Sequence, residues 1–228
     1  MNKKLRTFVY PVCAFIVLLL LWQVCVMLST SEIAFPTPVA VFKEFFYILT
    51  HKVGNYYTVV GHVLWSLSRV LVGFSIAAVL GIILGLTMGW FDYVRAVMMP
   101  IFNLLRPIAP LAWIPLAILW FGIGEKYKYF LIFIAAFVPF TLNAFAGASH
   151  VDKQLVGAAR MLGASKSQLF FEIVVPAAVP SIFSGAQVAL SNSWMTMLAA
   201  EMVCATEGVG WIIIAGQSVN DMTQMIAG

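Results

Sequence analysis

Apolar residues in this chain gather in five long runs, at about residues 8–28, 62–90, 97–121, 128–149 and 178–203, with short polar stretches between them. Each run reaches the ~20 residues a helix needs to cross the ~30 Å hydrocarbon core of a bilayer. Within that core every backbone N–H and C=O must be paired inside the protein, and a helix does this without help from other segments. The pattern therefore predicts an all-α, polytopic bundle with about five spanning helices. Composition agrees, with 62% hydrophobic and 10% charged residues, where a soluble domain carries roughly 25% charged residues.

The first run follows Lys3, Lys4 and Arg6. It is longer than the ~7–15-residue core of a cleaved signal and no clean small-x-small cleavage site follows it, so it reads as a retained spanning helix. Residues 29–61 are more polar. Within them Phe35-Pro36-Thr37-Pro38 reads as a turn, and residues 39–49 as an amphipathic helix lying on the membrane surface. Two regions follow: residues 1–61, a span with an external amphipathic linker, and residues 62–228, the helical core. Residues 209–215 are apolar but too few to cross, and read as a loop or an interfacial helix.

Basic residues set orientation. Lys3, Lys4 and Arg6 put the N-terminus in the cytoplasm, and counting crossings places Arg95 and the loop bearing Lys153, Arg160 and Lys166 on that side too. Lys43, Lys52, Lys126 and Lys128 fall outside, so the bias is partial. The net charge of +4 sits mostly at the ends of apolar runs and forms no patch, which argues against nucleic acid as a partner and for lipid headgroups. Cys13, Cys25 and Cys204 have no metal-site spacing and read as small packing residues. His51, His62 and His150 show no ligand pattern, and no Ser/His/Asp or paired-carboxylate arrangement stands out. No catalytic or metal-binding residue is expected.

Four features fall inside the runs. Gly73, Ala77, Gly81, Gly85 and Gly89 are four apart and share one helix face, a stripe suited to close helix contact within the chain or across a dimer. The third run holds Pro100, Pro107, Pro110 and Pro115, which predicts a broken or kinked helix, either beside a pathway or merely packed. Arg69 and Glu201 are charges within apolar runs; they either face the interior and pair, or reach the interface and snorkel. Ser191, Asn192, Ser193, Trp194 and Thr196 form a polar cluster, fit for transient hydrogen bonds to an oxyanion or for bonds between helices.

The segment Gly157-Ala158-Ala159-Arg160-Met161-Leu162-Gly163, followed after nine residues by Ile173-Val174-Val175-Pro176, is a polar, helix-prone loop at about residues 150–176. Ala158 and Ala159 favour a slim helix, Gly163 ends it, and Ser165 can cap the next helical piece. This loop resembles the cytoplasmic coupling loop of ABC importer permeases, whose pattern is E-A-A, three residues, G, nine residues, I-x-L-P. Ala158, Ala159, Gly163, Ile173 and Pro176 fall on that pattern; Gly157 stands in place of its Glu and Val175 in place of its Leu. Arg106-Pro107-Ile108-Ala109-Pro110-Leu111-Ala112-Trp113-Ile114-Pro115, Ser66-Leu67 with Arg69-Val70-Leu71, and Leu198-Ala199-Ala200-Glu201-Met202 add to it. Together, from about Pro36 to the end, they resemble the nitrate/sulfonate/taurine branch of type I importers.

The resemblance implies a non-catalytic membrane subunit in a bacterial or archaeal cytoplasmic membrane. It implies two ATP-binding subunits that use the ATP, a second permease copy, an extracytoplasmic solute-binding protein, and no cofactor on this chain. It implies six spanning helices, the last beginning about where this sequence ends. It also implies a small oxyanion as substrate (taurine, an alkyl sulfonate or nitrate), while related permeases carry solutes such as thiamine precursors. Arg69, Trp113, Asn192, Ser193, Thr196 and Glu201 are the expected pathway residues. The rival from another class is a self-sufficient secondary transporter or channel, which would need a membrane-centred ion relay; only Arg69 and Glu201 are clear intramembrane charges in the sequence. A third reading is a purely structural remnant. ATP dependence of uptake separates the first two, and transport by this chain separates the third.

Overall fold

Every apolar run folds as helix in the computed structural model, which describes residues 3–28, 35–53 and 57–228. Residues 29–34 of the polar stretch, and the side chains of Lys3, Lys4, Arg6 and Lys153 used for orientation, lie outside what is described. The described residues form α1 (Lys3–Leu28), α2 (Pro38–Thr50), α3 (Val59–Trp90), α4 (Asp92–Leu105), a 3-10 turn (Pro110–Trp113), α5 (Ile114–Phe121) and α6 (Glu125–Ser149). They continue through α7 (Lys153–Met161), α8 (Lys166–Gln168), a π turn (Leu169–Val174), α9 (Val175–Cys204), α10 (Val209–Ser218) and α11 (Met222–Ala227). The architecture is an all-α membrane bundle: four stretches are long and apolar enough to span, and α4 with α5 make a fifth if the bent pair counts as one.

Three boundaries differ from the sequence reading. The fourth span begins at Glu125 and not near 128, because Gly122 (φ 73°) and Gly124 end the preceding helix and leave Glu125 free to open the next. The fifth span is continuous with the loop before it, since the π turn passes directly into α9. The third run is two helices meeting at 85°. Of its four prolines, Pro107 and Pro110 make the break. Pro115 lies in the first turn of α5, where an N–H has no helical partner to lose, and Pro100 is held inside α4.

By its internal contacts the chain divides into two units, residues 1–63 with 207–228, and residues 64–206. In the first, Thr37 caps α2 by accepting a hydrogen bond from the Ala40 N–H, with Pro38 at its first turn. Ile48, Val53 and Ile212 form its core, and residues 209–215 belong to the helix α10. His62 is buried there. Its Nδ1 accepts from the Gly208 N–H at 3.1 Å, which leaves Nε2 to donate to the Val53 carbonyl at 3.3 Å, and its ring stacks on Trp211.

In the second unit the glycines of the small-residue stripe pack against α6. A Cβ placed on Gly73 would come 2.6 Å from Ile132, and one on Gly81 2.9 Å from Phe140. On Gly85 it would meet the Thr141 carbonyl and Ala144, and on Gly89 Ala148. Ala77 is fully buried with Ala136 and Phe140 of α6 and Ala189 of α9. The stripe therefore serves packing within one chain, where lipid supplies no hydrophobic drive and close backbone approach provides dispersion contact instead. The partners advance together, Gly73 with Ile132 and Gly89 with Ala148, so α3 and α6 run parallel. On its other side α6 meets α9 in the opposite sense, through Gly147 against Ala178 and Gly185 against Asn143. Two parallel spanning helices require the chain to return across the bilayer between them. The bent pair α4–α5 is the segment between them that can do so.

Candidate functional site

Three places in the second unit hold the residues singled out by sequence. The first is the loop after α6. Asp152 opens α7 by accepting from the Gln154 N–H at 2.8 Å. The helix closes at Gly163, whose φ of +86° is the left-handed conformation that glycine adopts without penalty. The Ala164 N–H bonds the Ala159 carbonyl at 3.1 Å and the Gly163 N–H bonds the Arg160 carbonyl at 3.0 Å, the paired bonds of a Schellman turn. Ser165 then caps α8, and Gln168 returns a bond to the Ser165 N–H in a capping box. The loop is thus a helix, a locked turn and a second helix, with Ile173 in the π turn and Pro176 in the first turn of α9. Gly157 lies within α7 with open space around it. At its tip Met161 and Leu162 are 86% and 89% exposed, two large apolar side chains on a short helix outside the spans.

The second place is an ion network joining one end of α3, α6 and α9. Arg69, 2% exposed, grips Glu125 with two bonds, from Nε at 2.5 Å and Nη2 at 2.8 Å, and reaches Glu201 with Nη1 at 2.8 Å. Ser66 Oγ shares its proton between the two oxygens of Glu201, at 2.8 and 2.9 Å. Lys128 is buried and donates to Glu125 at 2.7 Å. Two cations therefore face two carboxylates, and Glu125 sits favourably in the first turn of α6. Arg69 and Glu201 pair, as one of the sequence alternatives had it. They are not the only charges there: Glu125 and Lys128 join them, and Lys128 is buried in the bundle rather than a loop residue outside. A helix start moved by three residues hid both. Tyr127 adds a neutral tie, its hydroxyl lying 2.9 Å from the Ala200 carbonyl and 3.0 Å from that of Cys204.

The third place is a cavity of about 680 Å³ against the α4–α5 break. Arg106, Ile108, Pro110 and Trp113 line it from the break, α6 from Phe130 to Phe145, and α9 through Val188 and Asn192. The polar cluster at 191–196 does not act as one patch, because successive helical residues point 100° apart. Asn192 faces the cavity, whereas Ser193 and Thr196 are buried in helix contact, and Ser193 Oγ has no hydrogen-bond partner among the described residues. Ser191 is exposed and bonds back to the Gln187 carbonyl. Of the expected pathway residues, Trp113 and Asn192 meet in the cavity, and Arg69 and Glu201 meet in the network. Arg106 and Asn143 were not among them; the signal for Arg106 was its place between apolar residues and a proline.

Residues 77–228 match the family described as binding-protein-dependent transport system inner membrane component. The chain belongs to this family. It is 35% identical over 192 residues to the taurine transport system permease protein TauC of Escherichia coli, an alignment covering 84% of this chain and 70% of that one. It is 39% identical over 222 residues to the nitrate import permease protein NrtB of Synechocystis, covering 93% and 80%. It is 32% identical over 232 residues to the bicarbonate transport system permease protein CmpB of Synechococcus elongatus, covering 99% and 83%. The chain is therefore a multi-pass permease subunit of an importer that works with a solute-binding protein and an ATP-binding subunit. The permease residues matched by the family include the coupling-like loop, the cavity and, of the ion network, Glu125, Lys128 and Glu201.

Proposed function

We propose that this permease imports a small oxyanion through a homodimer driven by two ATP-binding subunits that dock on α7. The observation that carries the coupling part is the tip of α7. Met161 and Leu162 stand almost fully exposed on a helix whose end is fixed by the Schellman turn, and large apolar groups left in water are what a partner's cleft removes from it. A helix held by caps at both ends moves as a unit, so motion of the docked ATPase passes through the π turn into α9. Gly157 removes the carboxylate expected there, and the apolar tip then carries the contact. The permease itself would perform no chemistry and hold no cofactor; ATP is split by the partner. The N-terminus lies in the cytoplasm on this reading, which puts α7 on the side where ATP is found.

The oxyanion part draws support from the relatives, which are named for taurine, nitrate and bicarbonate. Each of these solutes carries a compact group of charge-sharing oxygens. The test is uptake of labelled nitrate, bicarbonate and taurine into vesicles containing the whole transporter, with and without ATP. ATP-dependent uptake of one of them, lost together with ATPase association in Met161→Asp/Leu162→Asp, is the expected result. Uptake that proceeds without ATP would sink the importer mechanism, and ATP-driven uptake of uncharged solutes alone would sink the substrate class.

A further inference from the structure

We propose that the cavity at the α4–α5 break is a transient anion-binding station, with Arg106 supplying the charge and Asn143 and Asn192 the amide donors. This rests on the oxyanion reading above and adds the residues that select for charge. The contrast with the rest of the bundle is what points to it. Arg69 and Lys128 are each held by carboxylates. Among the described residues the Arg106 side chain has no hydrogen bond or ion pair, although it lies in an apolar run and lines a cavity. Arg106 is exposed at the cavity wall, so its guanidinium is open to water or to an anion that enters, with no carboxylate of the cavity lining to compete for it.

The position of the lining along the helices and its chemistry support the same conclusion. On α6 the lining runs from Phe130 to Phe145, the middle of a helix that extends from Glu125 to Ser149. On α9 it includes Asn192, near the midpoint of Val175–Cys204. The lining has one cation, two amides and no carboxylate, and the remaining side chains are apolar. A cation entering would meet like charge, and a neutral solute would gain no charge-assisted bond from the guanidinium. An oxyanion matches the planar fork of arginine with two oxygens and finds further donors in the amides. Asn143 already spends one N–H on the Pro139 carbonyl, at 2.9 Å, so Asn192 is the more available amide. Apolar walls keep the number of contacts low, as passage requires that the anion also leave. The volume lies within the range of small-ligand pockets, roughly 300–1,000 Å³, with room for the anion and some of its water.

The experiment measures initial uptake of nitrate, bicarbonate and taurine by the whole transporter in vesicles of neutral phosphatidylcholine. Wild type is compared with Arg106→Gln, Arg106→Lys and Asn192→Leu. Loss of one charge-assisted contact predicts a fall of about tenfold or more for Arg106→Gln, with an intermediate loss in Arg106→Lys, which keeps the charge but not the fork, and a smaller loss in Asn192→Leu. Association with the ATP-binding subunit and basal ATP hydrolysis stay at wild-type levels, which a merely structural arginine would not predict. Uptake by Arg106→Gln within twofold of wild type overturns the station while leaving the oxyanion reading intact. A defect that appears only when anionic lipid is added assigns the guanidinium to headgroup phosphates and likewise overturns it. Wild-type uptake confined to uncharged solutes overturns both.

Discussion

Replacing Arg69 by methionine removes the centre of the ion network while keeping the apolar stem that fills its site. In the native fold Glu201 is 1% exposed and has Arg69 as its cationic partner and Ser66 as its hydroxyl donor. Without the guanidinium one cation, Lys128, faces two carboxylates, and Lys128 reaches Glu125 rather than Glu201. Breaking a buried pair so that one charge is left unpartnered costs about 3–5 kcal/mol. The same reasoning makes the damage asymmetric. Glu201→Gln leaves Arg69 with its two-bond grip on Glu125 and gives Ser66 an amide oxygen to bond, so it costs about 1 kcal/mol. Removing both, in Arg69→Met with Glu201→Leu, leaves Glu125 with Lys128 and restores balance, and recovers at least about 2 kcal/mol relative to Arg69→Met alone. A simple exchange of charges does not rescue, because Arg69→Glu sets a carboxylate against Glu125. Denaturant unfolding of the full chain in detergent micelles, followed by tryptophan fluorescence, measures all four proteins. Arg69→Met within 1 kcal/mol of wild type, or a double variant less stable than Arg69→Met, would refute the reasoning.

Two further outcomes follow from the packing and the loop. Gly85→Val drives a side chain into the Thr141 carbonyl and the Ala144 methyl; it should cost about 1–3 kcal/mol or more in the same unfolding measurement, and a value near zero would mean α3 and α6 are not in backbone contact. Gly163→Ala places a Cβ at φ +86° and should weaken the loop by about 1 kcal/mol, while Gly157→Ala, in open space within α7, should strengthen it by roughly 0.5–1 kcal/mol. Amide exchange across α7 reads both, and the same sign for the two would contradict the turn geometry.

The spans, the helix break and the loop were legible because each depends on neighbours in sequence. Whether residues 8–28 partition into lipid is a sum of side-chain transfer energies along one stretch. Whether Ser165 caps and Gly163 turns depends on backbone conformations within a few residues, and those readings match the hydrogen bonds found. The stripe of Gly73 to Gly89 was equally visible, since periodicity reports which face is small. It could not report that α6 fills that face, because its Ile132, Phe140 and Ala148 carry no local mark of the match. The network was half legible for the same reason. Arg69 and Glu201 betray themselves as costly charges in apolar runs, but Glu125 and Lys128 looked like loop residues until the start of α6 was fixed by the glycines before it. Sequence by itself thus determined that this chain crosses the membrane, where it turns and which residues are out of place there. Tertiary structure alone decided which of those residues meet. Arg69 and Glu201 are 132 positions apart and bond at 2.8 Å, and Asn192 parts from Ser193 into cavity and contact. Pairing across such separations is set by helix direction and rotation, which composition and spacing do not encode.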